Sequence, residues 1–198
     1  RGLVANLMPQ AEASKIPLAT LAAFFRDPQG YDPEAAWEAA LETAAGTESL
    51  PHLRAFAENS LHSCLGTPES ERLDRLAAEA VEALKTGEGP RAGACANLDA
   101  YLVCLDEACY HLRNRMENLA LRANLLPWIE LLDHWQDMGR RALRVMERLE
   151  SGQNFEKDEF FMEEMRRSAL RHSKRIGGAS LLPLGDLARE RITHGEPV

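Results

Sequence analysis

RGLVANLMPQAEASKIPLATLAAFFRDPQGYDPEAAWEAAL, residues 1–41, is the one part of this chain in which strand, loop and helix signals meet. Gly2-Leu3-Val4-Ala5 is a short apolar run bounded by a polar residue, the pattern of a buried strand. Asn6 stands where that strand ends. In parallel-strand α/β folds, ligands bind at the carboxyl ends of strands, on the loops that lead into helices. An asparagine there can donate and accept hydrogen bonds, as sugar hydroxyls require. Spacing alone reads it more plainly, as a loop asparagine capping its own backbone. One strand makes no sheet, so the stretch looks like a piece whose sheet lies elsewhere.

Working outward, Leu18, Leu21, Ala22 and Phe25 fall on one helical face. Pro17 fits either the first turn of a helix starting near Ser14 or a kink in one that starts earlier. Asp27-Pro28-Gln29-Gly30 ends that helix. Asp32-Pro33-Glu34 opens the next, with an N-cap aspartate, a proline at the first helical position and a carboxylate near the positive end of the dipole. Trp37, Ala40, Leu41 and Ala44 form its apolar face, and Gly46 stops it. Asp27 and Asp32 thus read as turn and cap residues, and Trp37 as a core anchor rather than a sugar platform.

Three groups of residues here resemble a known family. Gly2-Leu3-Val4-Ala5-Asn6-Leu7-Met8, Gln10-Ala11-Glu12-Ala13-Ser14-Lys15-Ile16, and Tyr31-Asp32-Pro33-Glu34 with Trp37 are similar to family 84 glycoside hydrolases, where the catalytic barrel ends and a helical domain begins. These are β-N-acetylglucosaminidases, including O-GlcNAcases and the so-called bacterial hyaluronidases. The resemblance implies that Asn6 matches the asparagine that follows the last barrel strand and hydrogen-bonds hydroxyls of bound N-acetylglucosamine. This chain departs from the pattern at Leu7, where proline is usual, and at Pro17 inside the expected helix. The resemblance favours the earlier start of that helix. It further implies substrate-assisted hydrolysis with retention through an oxazoline, driven by two neighbouring aspartates on earlier barrel strands. Neither aspartate has a counterpart in these residues, so no catalytic residue is assigned.

The remainder reads as helices. Ser49 can cap one carrying Leu53, Phe56, Ala57, Ser60 and Leu61, and Thr67-Pro68-Glu69 repeats the cap-proline-acid signature ahead of Leu73, Leu76, Ala77, Ala80 and Leu84. Gly87-Glu88-Gly89-Pro90 is a connection too short for a domain linker. Two long helices are expected next, about 92–123 and about 125–149, with Pro127 in the first turn of the second. A short break between them implies an antiparallel pair. Their apolar faces run through Leu98, Leu105, Leu112 and Leu119, and through Trp128, Leu132, Trp135 and Val145. Leu126-Pro127-Trp128-Ile129, with Gly139 and Ala142-Leu143, also resembles the helical domain of the same glycosidases. Gly139 is expected to allow close helix approach. Ser151-Gly152-Gln153-Asn154 breaks the pattern, a helix follows over about 155–171, and Leu181 to Ile192 holds one more short element.

At 198 residues and 45% hydrophobic content the chain can bury a substantial core without metals or disulfides. Its net charge of −8 argues against general nucleic-acid binding and against an anionic membrane surface. No apolar run approaches the ~20 residues that cross a bilayer. Arg1 rather than methionine opens the chain and no charged-then-apolar leader follows, which is read as an internal fragment. Cys64, Cys95, Cys104 and Cys109 form no CxxC and read as small buried thiols; they fix no compartment. Glu107 with His111, and Glu130 with His134, are four apart and could share a face. A di-metal bundle needs Glu-x-x-His pairs, which are missing, so an exposed ion pair is the expected reading and no metal or cofactor is assigned. Arg166, Arg167, Arg171, Lys174 and Arg175 could meet phosphate, but a solvated basic face near a helix C-terminus is the commoner arrangement.

These readings converge on a mainly α chain: the last strand and helix of an incomplete (β/α)8 barrel over residues 1–27, then a helical bundle domain over 28–198. The expected work is that of the C-terminal part of a retaining β-N-acetylglucosaminidase, closing and supporting the barrel and supplying Asn6 to a substrate that contains N-acetylglucosamine. The family implies a homodimer in some members, which is carried here as an expectation without a surface. The alternative is a stand-alone helical interaction module without catalytic activity.

Overall fold

A computed structural model describes residues 5, 8–60, 70–87, 89–172, 176 and 178–194. Among them are eight α-helices and no strand: α1 (Ala11–Arg26), α2 (Pro33–Ala45), α3 (Leu50–Ala57), α4 (Glu71–Lys85), α5 (Gly93–Asn114), α6 (Leu119–Glu150), α7 (Glu156–Arg171) and α8 (Leu182–His194). Short 3-10 turns follow α3 and precede α8. The chain is mainly helical, as its periodicity predicts. Of the expected strand at Gly2–Ala5, residues 2–4 lie outside those described and Ala5 is in no regular element.

α6 is the spine. α5, α7 and α8 pack along it, α4 packs on α5 and α8, and α3 lies on α5. α1 and α2 pack together, and α1 also reaches α6. One continuous core joins Leu41, Leu53, Leu73, Leu98, Leu105, Leu132, Met138 and Leu184. Burying each such side chain contributes about 1.5–3 kcal/mol. α5 and α6 are antiparallel: Asp99 and Asp106 meet Arg140, Asp106 also meets Gln136, and Arg113 meets Asp133, so partners descend α6 as they ascend α5. α7 is stitched to α6 through Asp158, which is buried against Arg141, Arg144 and Arg148. Those arginines recur every three or four residues, so they form one stripe on α6.

Local chemistry accounts for most helix ends. Asp32 Oδ1 accepts from the N–H groups of Glu34 and Ala35, with Pro33 behind it, as expected. Asp27 Oδ1 accepts from the Gly30 N–H in the preceding turn. Gly46 ends α2 at φ 81°, a conformation that favours glycine. α1 starts at Ala11 and runs through Pro17, the earlier of the two starts considered.

Four expectations change. First, the break between the long helices lies at 115–118, not near 124. Asn118 Oδ1 accepts from the Leu121 N–H and so begins α6 there, which puts Pro127 inside the helix and leaves Leu119 exposed. Pro127 takes the donor from the carbonyl of Ala123, an exposed residue. Second, Ser49 precedes α3 but makes no side-chain cap, because its hydroxyl is spent on His111 Nε2 at 3.0 Å. Third, α4 is capped by Ser70, whose Oγ accepts from the Leu73 N–H, so it begins at Glu71; Thr67-Pro68-Glu69 lies outside the described residues. Fourth, Cys104 is exposed, whereas Cys95 and Cys109 are buried as expected and Cys64 lies outside the described residues. Burial pushes the Cys109 thiol far up, aided by the Asp133 charge, so it stays protonated.

Candidate functional site

Asn6 is the residue the sequence nominates, and it lies outside the described residues. Its described neighbours are Ala5 and the Met8–Gln10 lead-in to α1. Gln10 stands at the N-cap position of α1 without a side-chain cap bond. The first turn is served from elsewhere. The Glu12 N–H donates to Asn124 Oδ1 on α6 at 2.9 Å, and the Ser14 hydroxyl donates to the Met8 carbonyl at 3.4 Å. Ala13 and Ser14 are the buried residues of α1. The hydrogen bond from Lys15, 2.6 Å from the Glu12 carboxylate, holds it below the usual carboxylate range against desolvation, and the Lys15 charge and Asn118 add to the effect. The Asn118 amide also donates to the Ala44 carbonyl at the end of α2. Two asparagines at the start of α6 therefore tie down the start of α1 and the end of α2. The sequence gives no signal for Asn124, which is a mid-helix polar residue until tertiary structure brings α1 to it. Asn118 was readable as a cap between Met116 and Leu119.

The rest of α1 has an unusual balance. Leu18, Leu21, Ala22 and Phe25, the face expected to be buried, contain no buried residue among these elements. Phe25 is 56% exposed and Phe24 40%, and Phe24 meets Phe25 and Tyr31 edge-on. The helix packs on α2 and α6, and Ile16 joins the core. Trp37 is partly buried and packs against the core, as an anchor should.

Other constellations resolve into structural roles. His111 and His134 bond to Ser49 and Ser168, replacing the expected ion pairs with Glu107 and Glu130. The Ser49–His111 pair is almost wholly buried, so no substrate reaches the hydroxyl. Asn59, Ser70 and Tyr101 form a second buried network, in which Asn59 donates to the Tyr101 oxygen and Ser70 to Asn59. Burial pushes the Tyr101 phenol up, partly offset by that bond. Arg166 meets Asp186 and Arg167 meets Glu163, so the basic cluster is interleaved with carboxylates; Lys174 and Arg175 lie outside the described residues. Among the described residues, no group of three or more His, Cys, Asp or Glu side chains is placed to hold a metal ion. No helix among them is long and apolar enough to cross a membrane.

Residues 1–58 match the β-N-acetylglucosaminidase family. No curated protein sequence matches the chain. Among solved structures, a mutant of the Thermobaculum terrenum O-GlcNAc hydrolase matches with a TM-score of 0.79 at 22% identity, over 98% of this chain and 43% of that one. CpGH84B matches with a TM-score of 0.80 at 22% identity, over 94% of this chain and 33% of that one. For CpGH84D the values are 0.75 and 16%, over 91% and 33%. This chain spans less than half the length of each. The chain is thus a helical module that matches a β-N-acetylglucosaminidase family over residues 1–58. It resembles the family 84 β-N-acetylglucosaminidases in sequence over its first 58 residues and in fold along nearly its whole length.

Proposed function

We propose that this chain is the C-terminal part of a retaining β-N-acetylglucosaminidase. Residues 1–27 supply the last strand and helix of the catalytic barrel, and residues 28–198 form the helical domain that supports it. The family match over residues 1–58, which contains Asn6, carries the reading. The apolar stripe of α1, with Leu18 and Leu21 half-buried and Ala22 and Phe25 exposed, agrees with it, because a barrel helix must bury such a face on its sheet. In this reading the substrate contains N-acetylglucosamine, O-GlcNAc being one such group. Its acetamido oxygen attacks the anomeric carbon while an acid on the barrel protonates the leaving oxygen, and water then opens the oxazoline with retention. Asn6 hydrogen-bonds sugar hydroxyls and orients the ring for that attack.

The test compares hydrolysis of an aryl N-acetyl-β-glucosaminide by the complete polypeptide and by its Asn6→Ala variant. Loss of such a bond costs ~1–3 kcal/mol of transition-state binding, or about tenfold or more in kcat/KM. An unchanged kcat/KM removes Asn6 from the site and leaves the chain a scaffold. Absence of activity in the wild type favours an interaction module.

A further inference from the structure

α3 is eight residues long, shorter than the ~12–15 at which an isolated helix is even marginal in water, so tertiary contacts hold it in place. Leu53 and Phe56 sink into the core. The two ends are fastened by different chemistry. At the far end Asn59 donates to the Tyr101 oxygen and accepts from Ser70, groups that carry no charge near neutral pH. At the near end the fastening is histidine. His52, in the first turn of α3, stacks on His111 of α5 with ring centroids 4.0 Å apart. The buried Ser49 hydroxyl shares a hydrogen bond with His111 Nε2 at 3.0 Å.

This setting disfavours a proton on His52. The ring is partly buried, it lies against a second imidazole, and the dipole of its own helix opposes a cation in the first turn. Arg115 adds to the repulsion and Glu107 opposes it, and the balance holds His52 below its ordinary 6.5. Around the same interface, Glu38 of α2 is taken by Arg54, and Glu48 and Glu58 lie in the flanking turns.

We propose that the start of α3 is an acid-released latch. Protonation of His52 parts the two rings and frees Ser49 from His111. The turn that begins at Gly46, whose φ of 81° favours glycine, then serves as the pivot. The first turn of α3 lifts from α5 while Asn59 keeps the far end in place. The closed latch is fully favoured above about pH 6.5 and loosens as pH falls from there, because the released His52 takes up a proton freely.

The experiment follows amide exchange by mass spectrometry in the complete polypeptide at about pH 7.5 and about pH 5.5, corrected for the intrinsic pH dependence of exchange. Peptides over 49–57 and over 71–85 are compared. Protection over 49–57 should fall by roughly threefold or more on acidification, while that over 71–85 holds. His52→Gln, which takes no proton, should remove the difference between the two pH values. Glu107→Gln, which deletes the opposing charge, should enlarge it. Equal protection over 49–57 at the two pH values overturns the proposal. So does a fall that His52→Gln retains in full, or one shared equally by 71–85, which is general loosening. Should His52→Gln fail to fold, Glu107→Gln decides: a fall no larger than in the wild type overturns the latch.

Discussion

His52 and His111 lie face to face, ring centroids 4.0 Å apart and planes 16° from parallel, where α3 meets α5. Ser49 holds the His111 ring by a hydrogen bond at its Nε2. Partial burial lowers the His52 pKa below its ordinary 6.5; the charge of His111 and of Arg115 lower it further, while Glu107 opposes them. The folded chain therefore resists a proton that the unfolded chain accepts. Linkage then gives the sign: this contribution is fully present above about pH 6.5 and is lost as pH falls from there through the lowered folded value. His52→Gln should flatten the acid-side fall of Tm between about pH 7 and 5 relative to wild type. Parallel Tm–pH curves for the two proteins would exclude His52 as a source of acid sensitivity. The pair was not legible in the sequence, because His52 and His111 are joined only by the packing of α3 on α5.

At the scale of elements, Gly139 shows how closely α6 is approached. A Cβ added there would meet Leu102 Cδ1 at 3.0 Å and Leu181 Cδ2 at 3.2 Å. Both leucines are fully buried, on α5 and on the turn before α8, so neither has free space to retreat into. Gly139→Ala gains ~1 kcal/mol of helix propensity but overpacks the junction at a cost of ~1–3 kcal/mol. A net loss of up to about 2 kcal/mol is expected, seen as a lower urea midpoint with unchanged slope, and Gly139→Val should cost more. A Gly139→Ala protein as stable as wild type would mean that a leucine yields. The close approach at Gly139 was legible, as were the caps at Asp32 and Gly46 and the long apolar faces of α5 and α6. The helix break was misplaced because Pro127 is a strong local signal for a first turn, whereas Asn118 wins by satisfying Leu121 and Ala44 together. Ser49 failed as a cap for a similar reason: a buried partner 62 residues away outbid the local backbone. Local rules thus hold where side chains face solvent or their own turn, and fail where a polar side chain is shared between elements.

For the whole molecule, α1 poses the question of what completes the fold. Its stripe of Leu18, Leu21, Ala22 and Phe25 was legible as an apolar face, but periodicity names no partner for such a face, and none of the elements described here buries it. The proposed barrel supplies one. The 198-residue chain alone should then bind a dye that reports apolar surface, and Leu21→Lys with Phe25→Glu should reduce that binding without loss of helicity. In the complete polypeptide the dye should not bind, and the same two substitutions should be destabilising instead. Burying a leucine or phenylalanine is worth about 1.5–3 kcal/mol, and burying an unpaired charge in its place costs more. The two contexts therefore predict different behaviour from one pair of substitutions: mild where the stripe is at most half-covered, damaging where a sheet covers it. If the double substitution is equally silent in both, the stripe faces solvent in each and α1 does not close a barrel. That result would also weaken the assignment of residues 1–27 to the catalytic domain, while leaving the packing of α2 to α8 as described.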